Sequence, residues 1–192
     1  MSEANGAGTV RVGPSAYWPT DESMDLRVTA VGDVLRDRAA TVPDTTAVFW
    51  LEGDDLRSMT YARLLDASLE CAARLMAVTP AAGDRVAVWT PNTVEWIILY
   101  YGCALTGRVL VPLNPMLSEG EFVHSVQHSG ARIVLAAADF RDRDLVGRAQ
   151  RLAPELGVRA HDLRLWADLP RSSDPLPEVS PADPLLIQYT SG

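Results

Sequence analysis

The sequence contains no lysine, since all 17 of its basic residues are arginines. Chemistry that requires a lysine side chain is therefore excluded within these 192 residues. Acidic residues are more numerous, and 25 of them give a formal net charge of −8. Because nucleic-acid backbones are bound by clustered Lys and Arg, this balance argues against a nucleic-acid partner.

Cysteine and long apolar runs are also scarce. The two cysteines, Cys71 and Cys103, lie in apolar stretches, which favours small core side chains in a reducing compartment over a disulfide or a reactive thiol. The one membrane candidate, residues 96–105, has about half the length that a bilayer requires. No secretory signal is recognisable in the first residues. We therefore expect a cytoplasmic protein without a transmembrane segment.

The composition is that of a globular protein, with 47% hydrophobic and 22% charged residues. The length suits one sizeable domain. Residues 1–28 are rich in Gly, Ser, Pro, Asp and Glu, and we expect them to form a flexible leader. Patterned sequence starts at residue 29, so the domain is expected to span residues 29–192.

Helical and strand patterns alternate through most of this domain. Residues 61–78 place their apolar side chains on one stripe at helical spacing. From Arg85 onward, short runs that are continuously apolar, as in buried strands, alternate with helical segments. This alternation is typical of βαβ units. The expected fold class is α/β, with a mostly parallel sheet flanked by helices.

Helix starts are indicated by polar residues placed just before apolar periodicity. Asn92 is expected to cap one helix, and Ser118 with Glu121 should form a capping box at the next. Asp139 is expected to cap a further helix that runs to about Leu152. These positions divide the domain into its strand and helix segments.

The last four residues carry the sharpest chemical signal. An apolar strand at residues 185–188 runs into Tyr189, Thr190, Ser191 and Gly192. Two hydroxyls and a flexible backbone at the carboxyl end of a sheet can bind a phosphate group. Taken alone, Thr-Ser-Gly is also a common turn, and these four residues do not decide between the two interpretations.

A metal site is the other candidate, because Glu121, His124 and His128 recur at the spacing of one helix face. Phe122 and Val126 are expected to face the core, which leaves the three polar residues on the solvated side. With no further cluster of ligands in the sequence, no metal site is predicted.

Three segments occur in the order found in one enzyme family. Residues 59–64 read Met-Thr-Tyr-Ala-Arg-Leu, residues 107–115 read Gly-Arg-Val-Leu-Val-Pro-Leu-Asn-Pro, and the chain closes on Tyr-Thr-Ser-Gly. Together they resemble the AMP-forming acyl-CoA synthetases and their adenylate-forming relatives. The resemblance covers residues 29–192 and implies the N-terminal subdomain of such an enzyme, ending inside the phosphate loop Tyr-Thr-Ser-Gly-Thr-Thr-Gly-x-Pro-Lys-Gly.

The resemblance implies a two-step reaction: a small-molecule carboxylate is activated with ATP and Mg²⁺ to an acyl-adenylate, and the acyl group is transferred to coenzyme A. Thr190, Ser191 and Gly192 would contact the phosphates, and no residue of this chain matches a catalytic position. Two alternatives are an adenylating enzyme that loads a carrier protein and a non-catalytic interaction module built on the same scaffold.

The sequence departs from the family pattern in two respects. Arg108 occupies a position where the family usually has a small residue. The rest of the phosphate loop and a catalytic lysine, which the family places further along its sequence, do not occur in this chain. The 192-residue chain alone is therefore expected to be inactive and to require the remainder of its adenylation domain.

Overall fold

A computed structural model describes residues 27–189 as five helices, six strands and one 3₁₀ turn. The helices are α1 (Val31–Thr41), α2 (Tyr61–Val78), α3 (Val94–Ala104), α4 (Glu119–Ser129) and α5 (Leu145–Leu156). The strands are β1 (Thr46–Glu52), β2 (Asp55–Thr60), β3 (Arg85–Trp89), β4 (Val109–Leu113), β5 (Ala131–Ala136) and β6 (Arg159–Asp162), and the 3₁₀ turn is Leu163–Asp168. Within the described residues, none of the helices combines the length and apolar character that a membrane crossing needs.

Strands β1 and β2 form an antiparallel hairpin that precedes α2. Its two-residue turn has Gly53 at a φ of 62°, a left-handed conformation that glycine adopts without a steric penalty. The chain then enters α2 at Thr60, whose side chain accepts a hydrogen bond from the Arg63 N–H. Helix α2 covers the span predicted from its apolar stripe.

A four-stranded parallel sheet, in the order β4-β3-β5-β6, forms the centre of the molecule. Alternate residues of β3 face opposite sides, so Val86 and Val88 pack in one core cluster and Ala87 and Trp89 in the other. Helices α2 and α3 cover the first face, and α4 and α5 cover the second. The α/β fold class with a parallel sheet flanked by helices is confirmed.

Two of the predicted helix caps were wrong by a few residues. Helix α3 is capped by Thr93, whose hydroxyl accepts from the Trp96 N–H, and not by Asn92. Helix α5 is capped by Asp144, which accepts from the Gly147 N–H at 2.8 Å, and not by Asp139. In both places the chain offers two capping residues close together, and local propensity does not distinguish them. The capping box of Ser118 and Glu121 is present as predicted.

The delayed start of α5 results from a tight turn that the apolar periodicity did not reveal. Phe140 and Arg143 exchange two backbone hydrogen bonds of 2.9 and 3.0 Å. Arg141 and Asp142 between them both have positive φ values, of 47° and 62°. This is the backbone of a two-residue hairpin turn. The turn occupies residues that were predicted to form the first turn of the helix.

The segment around Leu186 lies beside β4 and runs parallel to it. The Leu110 N–H donates to the Leu185 carbonyl at 2.8 Å, and the Ile187 N–H donates to the Leu110 carbonyl at 2.9 Å. The prediction of a buried strand at residues 185–188 was therefore only partly right. The segment forms a single bridge at the sheet edge, and Leu186 is 40% exposed.

Candidate functional site

The carboxyl ends of β3 and β5 meet at the middle of the sheet. Helix α3, which follows β3, packs on one face, whereas α5, which follows β5, packs on the opposite face. In open parallel sheets, ligands bind where neighbouring connections leave to opposite faces, because a crevice opens there. The carboxyl edge of this sheet is therefore the candidate functional edge.

Trp89 ties the strand ends of this edge together. Its indole Nε1 donates to the Asn114 carbonyl at 2.9 Å, which links the end of β3 to the loop after β4. Its backbone carbonyl accepts from the Ala137 N–H at 3.0 Å, which links β3 to the exit of β5. The ring stacks on Phe122 of α4 with a centroid separation of 4.4 Å. The loops at this edge thus start from a rigid, buried base.

Thr90 follows Trp89 directly and is 94% buried, since its relative exposure is 6%. Its hydroxyl has no hydrogen-bond partner among the described residues. A buried hydroxyl without a partner is uncommon in folded proteins. Sequence reasoning missed this residue, although a hydroxyl placed at the exit of an apolar strand was a usable signal.

A groove of about 490 Å³ opens beside the end of β4. Its walls come from residues 112–117, from the first two turns of α4 and from Tyr189. Leu113 and Leu117 contribute apolar surface, while His124 contributes a polar ring. Tyr189 therefore connects the end of the described chain to this groove.

Tyr189 is the residue that leads into the predicted phosphate-binding positions. Its hydroxyl donates to the Ser125 carbonyl of α4 at 3.1 Å and lies 3.1 Å from Nδ1 of His128. Thr190, Ser191 and Gly192, the predicted cofactor-binding residues, lie outside the described residues. Tyr189 directly precedes these positions, so its contacts with α4 lie next to the predicted phosphate-binding residues.

The family model for AMP-binding enzymes matches residues 35–192 of this sequence. The chain belongs to the AMP-binding enzyme family. Its resemblance to the AMP-forming acyl-CoA synthetases, first indicated by three motifs, is confirmed.

Relatives within the AMP-binding family include a long-chain-fatty-acid–CoA ligase, FadD13, of Mycobacterium tuberculosis. It is 34% identical over 165 residues, which cover 84% of this chain and 32% of the ligase. A fatty acid–[acyl-carrier-protein] ligase, ScoC, of Streptomyces coeruleorubidus is 34% identical over 152 residues, covering 78% of this chain and 28% of that protein. The chain thus spans about a third of the length of these curated relatives.

The fold is shared with a solved Mycobacterium tuberculosis fatty acyl CoA synthetase. The two structures superpose with a TM-score of 0.70 at 31% sequence identity, over 83% of this chain and 32% of the synthetase. The described domain therefore has the architecture of one portion of a larger AMP-binding enzyme.

Arg108, which departs from the family pattern, is only 3% exposed and lies between two helix ends. Its guanidinium donates to the carbonyls of Thr79, the C-cap of α2, and of Thr106, just after α3. Both carbonyls belong to helix termini, where backbone acceptors lack helical partners and the helix dipole is negative. Desolvation lowers the pKa of Arg108, and the nearby Asp84 opposes this shift. The arginine is therefore a structural link at the opposite edge from the groove.

The two cysteines and the three polar residues on the exposed face of α4 were the other candidates for chemistry. Burial raises the pKa of Cys71 to about 12 and that of Cys103 well above its ordinary value, so both are expected to remain protonated core thiols at neutral pH. Glu121, His124 and His128 are exposed as predicted, and Glu121 is engaged in the capping box. Among residues 27–189 there is no group of three or more His, Cys, Asp or Glu that could hold a metal ion.

Proposed function

We propose that residues 29–192 are the leading part of the adenylation domain of an AMP-forming acid–thiol ligase, most like a fatty-acid–CoA ligase. The observation that carries this proposal is the match to the AMP-binding family over residues 35–192, together with 34% identity to a long-chain-fatty-acid–CoA ligase. The position of Tyr189 at the carboxyl edge of the sheet supports it, because that is where a parallel sheet binds ligands.

In the proposed first step, a carboxylate oxygen of the substrate attacks the α-phosphorus of ATP. A new P–O bond forms, the bond to the β-phosphate oxygen breaks, and pyrophosphate leaves. Thr190 and Ser191 would donate hydroxyl hydrogen bonds to the phosphates, and Gly192 would allow close backbone approach. Mg²⁺ would arrive with ATP as part of that substrate.

In the second step, the sulfur of a thiol attacks the carbonyl carbon of the acyl-adenylate. The C–S bond forms, the bond to AMP breaks, and the thiol proton is released. Similarity to a long-chain-fatty-acid–CoA ligase supports coenzyme A as the acceptor. The phosphopantetheine thiol of a carrier protein is the second candidate, since the carrier-protein ligase is equally similar at 34% identity.

The test is carboxylate-dependent exchange of labelled pyrophosphate into ATP. It should be measured on the 192-residue chain and on a longer protein in which this sequence continues through a whole adenylation domain. We expect exchange with fatty acids only for the longer protein. Lack of exchange by that protein across fatty and aryl acids would refute the proposed reaction. Turnover by the 192-residue chain would refute the prediction that this chain alone is inactive.

The acceptor is decided by a second measurement on the longer protein. Once acyl-adenylate forms, coenzyme A and a holo-carrier protein are supplied separately, and AMP release is followed. Faster release with coenzyme A supports the CoA ligase, whereas faster release with the carrier protein supports the alternative.

A further inference from the structure

The chain that approaches the predicted phosphate loop is held by its backbone only up to Ile187. Both backbone hydrogen bonds of this segment are made with Leu110, at 2.8 Å from its N–H and 2.9 Å to its carbonyl. In a parallel pair, the N–H and C=O groups that face one neighbour belong to alternate residues. The next residue of β4 that faces this segment is therefore Pro112.

Pro112 removes the next donor of this pairing, because proline has no N–H. A residue with an N–H at this position could donate to the Ile187 carbonyl and extend the ladder by one bond. The backbone of Pro112 faces away from β3, as that of Leu110 does, so the missing N–H costs no bond between β3 and β4. Beyond Ile187, the direction in which the chain leaves the sheet must therefore be fixed by a side-chain contact.

The side chain of Tyr189 provides that anchor on α4. Its single hydroxyl hydrogen goes to the Ser125 carbonyl, 3.1 Å away, because a carbonyl can only accept. Nδ1 of His128 is also 3.1 Å from the hydroxyl oxygen and must therefore be the donor. The two rings meet edge to face, with centroids 5.8 Å apart. This pairing requires a hydrogen on Nδ1 of His128.

Helix α4 is a firm base for this contact. Its start is closed by a complete capping box, and Gly130 ends it in the left-handed conformation. Phe122 and Val126 on its opposite face are at most 2% exposed. His128 itself is exposed, so the contact with Tyr189 is not forced by core packing.

We infer that His128 is a positioning residue, which holds Tyr189 and thereby sets the point from which the phosphate-binding residues start. This inference rests on the proposed function, since it assigns the role of Thr190 to Gly192 to phosphate binding. It goes beyond the family motif, because His128 lies on a helix 61 residues before Tyr189 in the sequence.

The activity test compares three replacements of His128 in the longer, exchange-competent protein. Asparagine places an amide N–H on the δ position, as Nδ1 does, whereas glutamine places it one atom further out and phenylalanine has no donor. We expect His128→Phe and His128→Gln to raise the KM for ATP about fivefold, the equivalent of one hydrogen bond, and His128→Asn to stay near the unaltered value. The exposed Gln127→Ala on the same helix is the control.

A merely structural role would reduce the amount of folded protein, and hence the apparent kcat, without this pattern in KM. Equal KM values for all four variants would overturn the inference while leaving the proposed reaction intact. Absence of exchange by the unaltered protein would instead count against the proposed function. The two failures are therefore distinguishable.

A second measurement needs no activity. Nitrogen-15 NMR of the imidazole rings in the 192-residue chain reports which nitrogen of His128 carries the hydrogen. We expect Nδ1–H in the unaltered chain and loss of that preference in Tyr189→Phe, which lacks the hydroxyl. A neutral His128 protonated only on Nε2 in the unaltered chain would contradict the contact and overturn the inference.

Discussion

The central parallel sheet and the β1–β2 hairpin are built from similar residue types but differ in how they are covered. In β3, the residues from Val86 to Trp89 are at most 1% exposed, because helices pack on both faces. In the hairpin, Phe49 and Leu51 are each 71% exposed and Leu56 is 69% exposed. These three share one face of the hairpin, as the pairing of Leu51 with Leu56 places them on the same side.

The difference shows that strand sequence alone does not decide what a strand contributes to stability. Apolar side chains of the sheet are removed from water and packed, which contributes about 25 cal/mol per Å² of apolar surface buried. Those on the exposed hairpin face contribute little in this domain. The hairpin depends instead on its turn and on the contacts of Ala47 and Met59 with the core.

The largest difference between the two regions is expected when the same residue type is truncated in both. Leu135→Ala in β5 removes a side chain with 0% exposure and is expected to lower the free energy of unfolding by about 2–5 kcal/mol. Leu51→Ala in β1 should change it by less than about 0.5 kcal/mol. Urea unfolding of the chain, followed by tryptophan fluorescence, measures both. Similar losses would mean that the hairpin face is covered in solution.

A second contrast concerns arginines. Arg108→Met should cost roughly 1–3 kcal/mol, because it leaves the carbonyls of Thr79 and Thr106 buried without their donor. Arg57→Met in the hairpin should cost about 0.5 kcal/mol or less, because its side chain is 52% exposed and its ion pairs are solvated. The same unfolding experiment applies. If Arg108→Met were neutral, the two helix ends would have to be satisfied by water.

The hairpin turn can be tested through its glycine. Gly53→Ala is expected to destabilise the chain by about 1 kcal/mol, because the φ of 62° disfavours a side chain even though no atom lies within 4 Å of the new Cβ. Gly120→Ala in α4 is the matched control: it also has open space, lies in a helix and should stabilise by up to about 1 kcal/mol. A stabilising Gly53→Ala would contradict the left-handed turn.

The smallest expected effect is electrostatic. Hydrogen bonds from Arg151, then Arg148, lower the pKa of Glu119 at the start of α4. A carboxyl whose pKa is lower in the folded state stabilises above its unfolded pKa, near 4.5, and loses that contribution as pH falls through the folded value. Stability between pH 7 and pH 3 should therefore fall less steeply in Glu119→Gln than in the unaltered chain.

The acidic side chain of Glu119 lies within 4 Å of two arginines, Arg148 and Arg151. The effect of Glu119→Gln on the pH dependence should shrink in high salt, because exposed charges are screened by ions. An effect that does not change with salt would contradict the ion pairs as its cause.

Most of the fold could be predicted because its signals are local. The apolar stripe of α2, the capping box of Ser118 and Glu121, and the apolar runs of β3 to β5 each depend on residues only a few positions apart. The caps of α3 and α5 could not be chosen correctly, because Thr93 competes with Asn92 and Asp144 with Asp139. For α5, the deciding factor was the tight turn between Phe140 and Arg143, which precedes the helix.

The candidate site was less predictable than the fold. Tyr189 was recognised as the start of a motif, and the predicted phosphate-binding role of Thr190, Ser191 and Gly192 remains a proposal. The contact of Tyr189 with His128 joins positions 61 residues apart, and no local pattern indicates it. The unpartnered hydroxyl of Thr90 likewise acquires meaning only from its burial.

Composition, periodicity and ordered motifs were enough to predict the fold class and the family, and to exclude lysine chemistry within these 192 residues. The three-dimensional fold was needed to find which strand faces are covered, how Arg108 is accommodated and what holds Tyr189. Burial and hydrogen-bond partnership could not be predicted because they join residues distant in sequence. Pro112 illustrates both: its missing N–H is evident from the sequence, but the neighbour that loses a hydrogen bond is evident only from the sheet.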